Sequence, residues 1–419
     1  MYPDLSYVFH DLFGTDPDNW TSIFKTFGLL LATALLTAGW VLKSELVRLE
    51  KEGKIAATKQ KVKAAYTTIG DVITNGLIAL FFGAKIPFIL SNFEDFQANP
   101  AGVIFSAKGS WSIGLVVGVA VAIYLYMESK KEDNGPRVKE VMVSPHEKTS
   151  DIVILAGLSG VIGAKLFSVF ENIPALMKDP VGVLFSGSGL NVLGGVILAT
   201  TVVIWYIRKL KINPWYVMDV GGMGILIGYA VGRLGCQLSG DGDWGIIAAA
   251  IPEWWFLPEW MWSYDFPNNV AQSSGNLEYG TGLIEGCSQQ AYESAYKPGI
   301  SEEQRCATAC GVRYCHQLTQ PVYTTSVFET IFWFGGFLLF WMMRKKVQIA
   351  GTLFFAYMIF NGVMRYLIEE IRVNETSSFL GIDMSQAQKI SIFFVLGGVL
   401  GIVWLYNRNR NQKSTNPIT

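Results

Sequence analysis

The stretch GRLGCQLSGDGDWG, from Gly232 to Gly245, directly follows a run of apolar residues that begins near position 215. It carries Arg233, two aspartates and five glycines. About 20 apolar residues in helical form cross the hydrocarbon core of a bilayer. A charged side chain at membrane depth usually faces a cavity or an opposite charge. The stretch therefore predicts a membrane-spanning helix that ends in a polar site.

The composition of the whole chain agrees with this prediction. Of the 419 residues, 51% are hydrophobic and 16% are charged, and the mean hydropathy is +0.32, whereas soluble proteins carry about 25% charged residues. We expect an all-α fold, a polytopic transmembrane helical bundle of about nine spans. The net charge of -1 and the lack of a Lys/Arg block indicate no nucleic-acid partner. The candidate spans cover residues 22–42, 70–91, 110–127, 151–170, 189–207, 215–235, 325–343, 350–370 and 389–406.

Charge in the connections orients these spans, because short cytoplasmic loops are rich in Lys and Arg. The first segment, MYPDLSYVFHDLFGTDPDNW, is acidic and is expected outside. The next connection, KSELVRLEKEGKIAATKQKVK, is basic and is expected inside. Alternation then puts every other clearly basic segment inside as well: ESKKEDNGPRVKE, RKLKIN, MRKKVQ and the tail NRNRNQK. We therefore expect the N-terminus outside and the C-terminus inside.

The spans and connections divide the chain into five parts. Residues 1–70 hold the first span and a basic cytoplasmic loop, 71–126 an extra helical hairpin, and 151–245 a second copy of that hairpin and the helix that ends in the opening stretch. Residues 246–322 form an extracytoplasmic insertion, and 323–419 form the last three spans and the tail. The hairpins are an internal repeat, since 71–126 and 151–206 align without gaps: NPAGVIFS (99–106) matches DPVGVLFS (179–186), and Lys85 matches Lys165. The repeat either enlarges the helical body or lines a transport pathway.

The insertion contains four of the five cysteines, which are Cys287, Cys306, Cys310 and Cys315. In an oxidising compartment they are expected to form two disulfides, with three possible pairings. Zinc bound by these cysteines and His316 is the alternative. The insertion also contains the aromatic run WWFLPEWMWSY (254–264), which either lies at the bilayer interface, where Trp and Tyr are favoured, or packs inside a small extracytoplasmic subdomain.

Charged residues also occur in two later spans. Glu329 lies in TTSVFE at the start of one span, and RYLIEEIR near the end of the next contains Arg365, Glu369 and Arg372. Arg365 and Glu369 are four residues apart and share one helix face. The expected topology brings Arg233, Glu329 and Arg365 to the outer half of the membrane, where they either surround an outward-facing cavity or form ion pairs that lock the helices together. Guanidinium groups beside a glycine-rich backbone are a suitable receptor for phosphate.

With these motifs in view, the chain resembles the prolipoprotein diacylglyceryl transferase family. The opening stretch is similar to the family signature GRxGNFxNGExxG, with Arg233 and Gly235 kept, Ser239 in place of an asparagine, and Asp241 or Asp243 in place of the glutamate. TTSVFE resembles HPxxLYE with Glu329 kept, and the helix GTLFFAYMIFNGVMRYLIEEIRVNE supplies the positions of the family's arginine and glutamate. MSQAQKISI resembles the GQxLSI entry to the last helix. The resemblance covers spans one and four to nine.

The resemblance implies transfer of a diacylglyceryl group from phosphatidylglycerol to the lipobox cysteine thiol of a prolipoprotein signal peptide, in contact with membrane lipid, in the bacterial cytoplasmic (inner) membrane. It implies neither a cofactor nor a metal. Arg233 and Arg365 would hold the phosphate, and Glu329, Glu369 and Arg372 would support them. Gly235 and Ser239 would help to bind the lipid. Asp241 or Asp243 would bind glycerol hydroxyls or accept the thiol proton.

This chain departs from the family pattern in ways that leave two questions open. Leu193 stands where a histidine often precedes the paired glycines, so an aspartate, a water or the departing phosphate remains as the acceptor of the thiol proton. The extra hairpin and the motif changes also permit a membrane protein that binds phospholipid, or transports a small anion, without transferase activity.

Overall fold

The computed structural model is mostly helical, and it describes residues 1–415 except 64–68, 94–95, 97–102, 105, 131–137, 179–182, 184–190, 272–280, 298–299, 375 and 380. The helices are α1 (Leu5–Phe13), α2 (Thr26–Lys51), α3 (Ile69–Ser91), α4 (Trp111–Ser129), α5 (Thr149–Glu171), α6 (Ile173–Lys178), α7 (Val192–Lys209), α8 (Pro214–Ser239), α9 (Gln289–Ser294), α10 (Glu302–Cys310), α11 (Thr325–Met343), α12 (Thr352–Glu369) and α13 (Gln386–Thr415). Short strands form antiparallel pairs: β1 (Thr58–Lys63) with β2 (Val138–Val143), β3 (Ser263–Tyr264) with β6 (Val322–Tyr323), β4 (Thr281–Leu283) with β5 (His316–Leu318), and β7 (Thr376–Phe379) with β8 (Ile382–Ser385).

Among the described residues, seven helical segments are long and apolar enough to cross a membrane. They correspond to α2, α3, α4, α5, α8, α11 and α13. The other two candidate spans, 189–207 and 350–370, are also helical, as α7 and α12, and each of these helices has 18 residues. The chain is thus a helical membrane protein, as expected from its composition. The count of nine spans and their orientation stay predictions.

The chain divides into two compact units, and the first consists of residues 49–212. Both copies of the repeat lie in it as helical hairpins, with α3 packed on α4 and α5 packed on α7. Glycines allow this close packing, since a methyl group added to Gly114 would lie 2.5 Å from the carbonyl oxygen of Leu80. The buried Lys85 donates to the carbonyl oxygens of Ser106 and Lys108, at 2.6 and 2.7 Å. Lys85 is thus held by backbone acceptors of its own hairpin. Most of NPAGVIFS and DPVGVLFS lies outside the described residues.

The second unit consists of residues 1–48 and 213–419, and α8 lies at its centre. Asn213 caps the N-terminus of this helix and Pro214 is its first residue, and both residue types are favoured at these positions. It ends at Gly240, whose φ of +66° suits glycine. Small residues let α2 approach α8, with Gly224 next to Ala38. Helices α11 and α12 pack on other sides of α8, and α13 packs on α12. The opening stretch is therefore helical to Ser239 and irregular beyond it.

The insertion is held by two disulfides, Cys287–Cys310 and Cys306–Cys315. All four sulfur atoms are used in these bonds, so the disulfide prediction is confirmed and none of them is left for zinc. His316 instead lies 3.0 Å from Glu302. The pairing was not accessible from the spacing of the cysteines, because it follows from how α9, α10 and β5 pack around the buried Cys306 and Cys315.

Candidate functional site

Three helix ends meet at the site. Arg233 lies six residues before the end of α8, Glu329 four residues after the start of α11, and Arg365 four residues before the end of α12. At about 1.5 Å per residue, these positions are about 6 to 9 Å from the respective helix ends. Because α11 runs opposite to α8 and α12, the three charged side chains reach the same level. The structure thus brings together the charged residues that the sequence placed on separate spans.

Glu329 is the centre of the cluster, and none of its surface is exposed. Its carboxylate accepts from Arg365 Nη1 at 2.8 Å and from the hydroxyl of Tyr229 at 3.1 Å. It also forms ion pairs with Arg233 Nε and, at 3.8 Å, with Arg372 Nη1. One buried carboxylate is therefore shared by three guanidinium groups, which is the arrangement in which a buried charge is tolerated.

Asp243 forms a second bridge, from Arg233 Nη1 to Arg372 Nη2. Its backbone carbonyl accepts from the hydroxyls of Thr325 and Ser326, at 2.8 and 3.1 Å, in the first turn of α11. Burial alone would raise the pKa of this carboxyl, but the two guanidinium groups outweigh burial and hold the pKa below its usual value. Asp243 is thus held ionised and in place by charge.

Asp241 has a different environment from Asp243. It is exposed on one side, and its carboxylate accepts from the backbone N–H of Asp243 at 3.3 Å. Desolvation by the groups around it and the negative charge of Asp243 raise its pKa. The structure therefore separates two aspartates that the sequence left as equals, since Asp243 is paired with arginine and Asp241 faces outward.

Cys236, Asp241 and Asp243 place one potential metal ligand atom each within 4.8 Å of one another. The Arg233 guanidinium contacts this group, with Nη1 donating to Cys236 Sγ at 3.4 Å and pairing with Asp243. The positive charge of this guanidinium group repels a metal ion that would bind to the same three residues. The group therefore does not indicate a metal site.

The third carboxylate, Glu369, forms the expected pair with Arg365 at 3.1 Å. It accepts a hydrogen bond from Ser385 Oγ at 2.9 Å and another from Asn374. Ser385 is the second residue of the segment MSQAQKISI and directly precedes α13, so the start of the last helix contacts the cluster. Tyr229, Ser326 and Ser385 were not among the predicted site residues. Tyr229 could have been found from its spacing, because it lies one helical turn before Arg233.

The charges of the cluster cancel, but its three arginines differ in their exposure to solvent. Three guanidinium groups face three carboxylates, so its formal charge is zero. Arg233 is 7% exposed and its nitrogens face protein acceptors, whereas the side chain of Arg365 is 24% exposed. Of the three arginines, Arg365 is therefore the most open to a ligand.

Besides Asp241, two of the predicted site residues are not part of this cluster of arginines and carboxylates. Gly235 faces α2, where an added methyl group would lie 3.3 Å from Leu30 Cβ. The hydroxyl of the buried Ser239 donates to the carbonyl of Gly235 at 2.9 Å, within its own helix. Gly235 thus allows the end of α8 to pack on α2, and Ser239 satisfies a backbone carbonyl in the last turn of α8.

Comparison with known proteins identifies the family of this chain. Residues 110–404 match the family model for prolipoprotein diacylglyceryl transferase. Among curated proteins named phosphatidylglycerol–prolipoprotein diacylglyceryl transferase, one from Halalkalibacterium halodurans is 24% identical over 314 residues, covering 74% of this chain and 88% of the relative. One from Dehalococcoides mccartyi is 26% identical over 290 residues, with 68% and 85% covered, and one from Leptospira interrogans is 23% identical over 363 residues, with 74% and 93% covered. The family model covers more than half of the chain, which therefore belongs to the prolipoprotein diacylglyceryl transferase family.

Proposed function

We propose that this protein transfers a diacylglyceryl group from phosphatidylglycerol to the lipobox cysteine thiol of a prolipoprotein, with release of glycerol phosphate. The observation that carries the proposal is the cluster in which Arg233 and Arg365 share the buried Glu329 carboxylate. The names of the relatives supply the two substrates, and the cluster supplies a receptor for the phosphate of one of them.

The depth of the cluster suits a lipid headgroup. Helix α11 has 19 residues, so it is about 28 Å long, close to the roughly 30 Å of a bilayer's hydrocarbon core. Its first turn must then lie near the boundary between hydrocarbon and headgroups. Glu329, about 6 Å further in, lies just inside this boundary, within reach of a phosphate group that enters the protein from the headgroup region.

The reaction requires a nucleophile and a stabilised leaving group. The thiolate sulfur of the prolipoprotein forms a bond to the glyceryl carbon next to the phosphate. The bond from that carbon to the phosphate oxygen breaks, and its electron pair leaves with glycerol phosphate. Arg365, the most exposed arginine of the cluster, contacts the departing phosphate, and Arg233 adds its charge. Glu329 and Glu369 act as positioning residues for these guanidinium groups.

Asp243 is proposed to accept the proton of the prolipoprotein thiol. In the structure this carboxylate lies between Arg233 and Arg372, so a phosphate that is contacted by Arg365 would compete with Asp243 for these two guanidinium groups. If the lipid phosphate takes its place, Asp243 loses the charges that lower its pKa and becomes a better proton acceptor. Substrate binding would then supply the base that Leu193 does not provide. Asp241, which faces outward, is proposed to bind the glycerol hydroxyls of the headgroup.

Gly235 and Ser239 are proposed to act indirectly. They keep the end of α8 close to α2, so that Gly240 can turn the chain towards Asp243.

For the whole chain we propose nine spans in the bacterial inner membrane, the N-terminus outside, and the five-part division described above. The basic connections support this orientation. Reactivity of single introduced cysteines in each connection towards a membrane-impermeant reagent tests it.

The activity is tested in proteoliposomes that contain phosphatidylglycerol and a synthetic lipobox peptide. We expect a thioether-linked peptide and glycerol phosphate in equal amounts. Arg365→Ala and Arg233→Ala should each reduce both products by about 10²-fold or more, as expected for lost stabilisation of a developing charge. Arg344→Gln is the matched control, since Arg344 pairs with the buried Glu45 at the opposite end of α11, and it should retain transfer.

Two results would contradict the proposal. One is near-normal transfer by both arginine variants while Arg344→Gln behaves as the wild type. The other is flux of a small anion across the vesicle membrane without any modification of the peptide, which would indicate a transporter.

A further inference from the structure

A segment of the insertion, residues 246–262, exposes an unusual amount of apolar surface; we refer to it as the aromatic loop. Phe256 is 88% exposed, Trp254 69% and Trp260 44%. Ile247 and Ile251 are exposed to 45% and 39% in the same segment. Exposed apolar groups that lie singly are common, but a contiguous group of large rings usually marks a surface that contacts a partner or a membrane.

The aromatic loop is fixed to the start of a membrane-spanning helix. The rings of Trp255 and Trp262 lie 6.1 and 6.0 Å from the ring of Phe328, in the first turn of α11. Thr324, the residue before that helix, donates its N–H to the carbonyl of Trp262 at 3.3 Å and its hydroxyl to the carbonyl of Met261 at 2.6 Å. The position of the aromatic loop along the axis of α11 is therefore fixed.

This attachment places the aromatic loop at a definite depth. Since α11 needs nearly all of its 19 residues to cross the hydrocarbon core, its first turn lies at the boundary of that core. Ile331, Phe332 and Phe334, further along the same helix, are 42%, 43% and 47% exposed, as lipid-facing residues are. The exposed rings of the loop continue this lipid-facing surface outward into the interfacial region.

The charges of the aromatic loop indicate what kind of surface it contacts. Its only charged residues are Glu253 and Glu259, and it contains no lysine or arginine. Attraction to anionic headgroups therefore does not hold it at the membrane. Trp rings prefer the interfacial region for their amphipathic character, irrespective of headgroup charge.

We propose that the aromatic loop is an interfacial membrane anchor. Trp254, Phe256 and Trp260 insert into the headgroup region of the bilayer beside the start of α11 and hold the insertion against the lipid surface. The occupant of this surface is the phospholipid bilayer itself, not the prolipoprotein. The anchor is independent of the transfer reaction, because none of its rings belongs to the arginine cluster.

A spin label at position 256 tests the proposal in the full-length protein. Phe256→Cys is suitable because the side chain is almost fully exposed, so the fold should tolerate it, and because Cys236 is buried and the other cysteines are paired. Tyr296→Cys is the matched control: Tyr296 is a 64% exposed aromatic residue of the same insertion whose ring lies 5.4 Å from the Arg305 guanidinium. Both variants are placed in nanodiscs of phosphatidylcholine, with and without phosphatidylglycerol.

The measured quantity is the ratio of collision rates of the label with oxygen, which enriches in lipid, and with a water-soluble nickel complex. We expect this ratio to be several-fold higher at position 256 than at position 296, and equal in the two lipid compositions. A label at 256 that is as open to the nickel complex as the one at 296 would overturn the proposal. So would shielding that requires phosphatidylglycerol, or that appears only when the lipobox peptide is added, since the latter would assign the surface to the peptide.

Discussion

Removing the charge of Glu329 is the most direct perturbation of the site. Glu329→Gln keeps the shape of the side chain and its contact with Tyr229, but it leaves three guanidinium groups facing two carboxylates. The cluster changes from a formal charge of zero to +1 at a position where Glu329 has no exposed surface. Arg233, Arg365 and Arg372 each lose one ionic partner.

The expected loss of stability follows from the number of ion pairs that remain. Breaking a buried ion pair by removing one partner costs about 3 to 5 kcal/mol. Asp243 and Glu369 still pair with all three arginines, so the lower limit, about 3 kcal/mol, applies. A loss of that size raises the population of locally opened molecules by about 10²-fold.

The free thiol of Cys236 provides the assay. It is buried and lies 3.4 Å from Arg233 Nη1, so its rate of labelling by a thiol reagent reports opening of the site. We expect Glu329→Gln to raise this rate about 10²-fold and to reduce transfer by at least the same factor.

The control for this prediction is Glu45→Gln. Glu45 is 1% exposed and pairs with Arg344 at 2.6 Å and Arg48 at 2.7 Å, away from the site. This variant should destabilise the helical body but keep transfer in the folded fraction. A Glu329→Gln protein with wild-type labelling and transfer, or equal losses of transfer in both variants, would refute the reasoning.

Three further predictions concern the frame around the site. Asp219→Asn removes a carboxylate that accepts from two backbone N–H groups at the start of α12, at 2.7 and 2.8 Å; we expect a loss of about 1 to 2 kcal/mol, measured as faster thiol labelling. A membrane-impermeant reductant should open the partly exposed Cys287–Cys310 bond before the fully buried Cys306–Cys315 bond, as read by alkylation and mass spectrometry; the opposite order would contradict the packing described for the insertion. Gly398→Ala should cost about 1 to 3 kcal/mol, because its methyl group would lie 2.7 Å from a backbone oxygen of α12, while Gly397→Ala, whose methyl group meets only the end of a methionine at 3.2 Å, should be nearly neutral in thermal unfolding.

The helices could be predicted from the sequence because each depends on a continuous run of apolar residues. The predicted span 325–343 has the same bounds as α11, and 215–235 lies within α8. A run of apolar residues of bilayer length has no alternative to a helix in lipid, since every backbone polar group must be paired within the segment. The pairing of Arg365 with Glu369 was also predictable, because a spacing of four residues places both on one face.

The different environments of the two aspartates could not be predicted in this way. Asp241 and Asp243 are equivalent in the opening stretch, and only the packing of α11 against α8 directs Asp243 towards Arg233. The same holds for Glu329, whose three arginine partners come from two other helices and the chain that follows one of them. Hydropathy and spacing contain no information about which residues meet across such distances in the chain.

By itself, the sequence determined that the chain is a helical membrane protein, which residues form its helices, and that arginines and carboxylates lie near several helix ends. These properties depend on neighbours within one or two helical turns. The tertiary structure decided that three arginines share one buried carboxylate, which cysteines pair, and that the aromatic loop is fixed beside α11. Each of these depends on the approach of segments far apart in the chain, which side-chain packing and the need to neutralise buried charge select together.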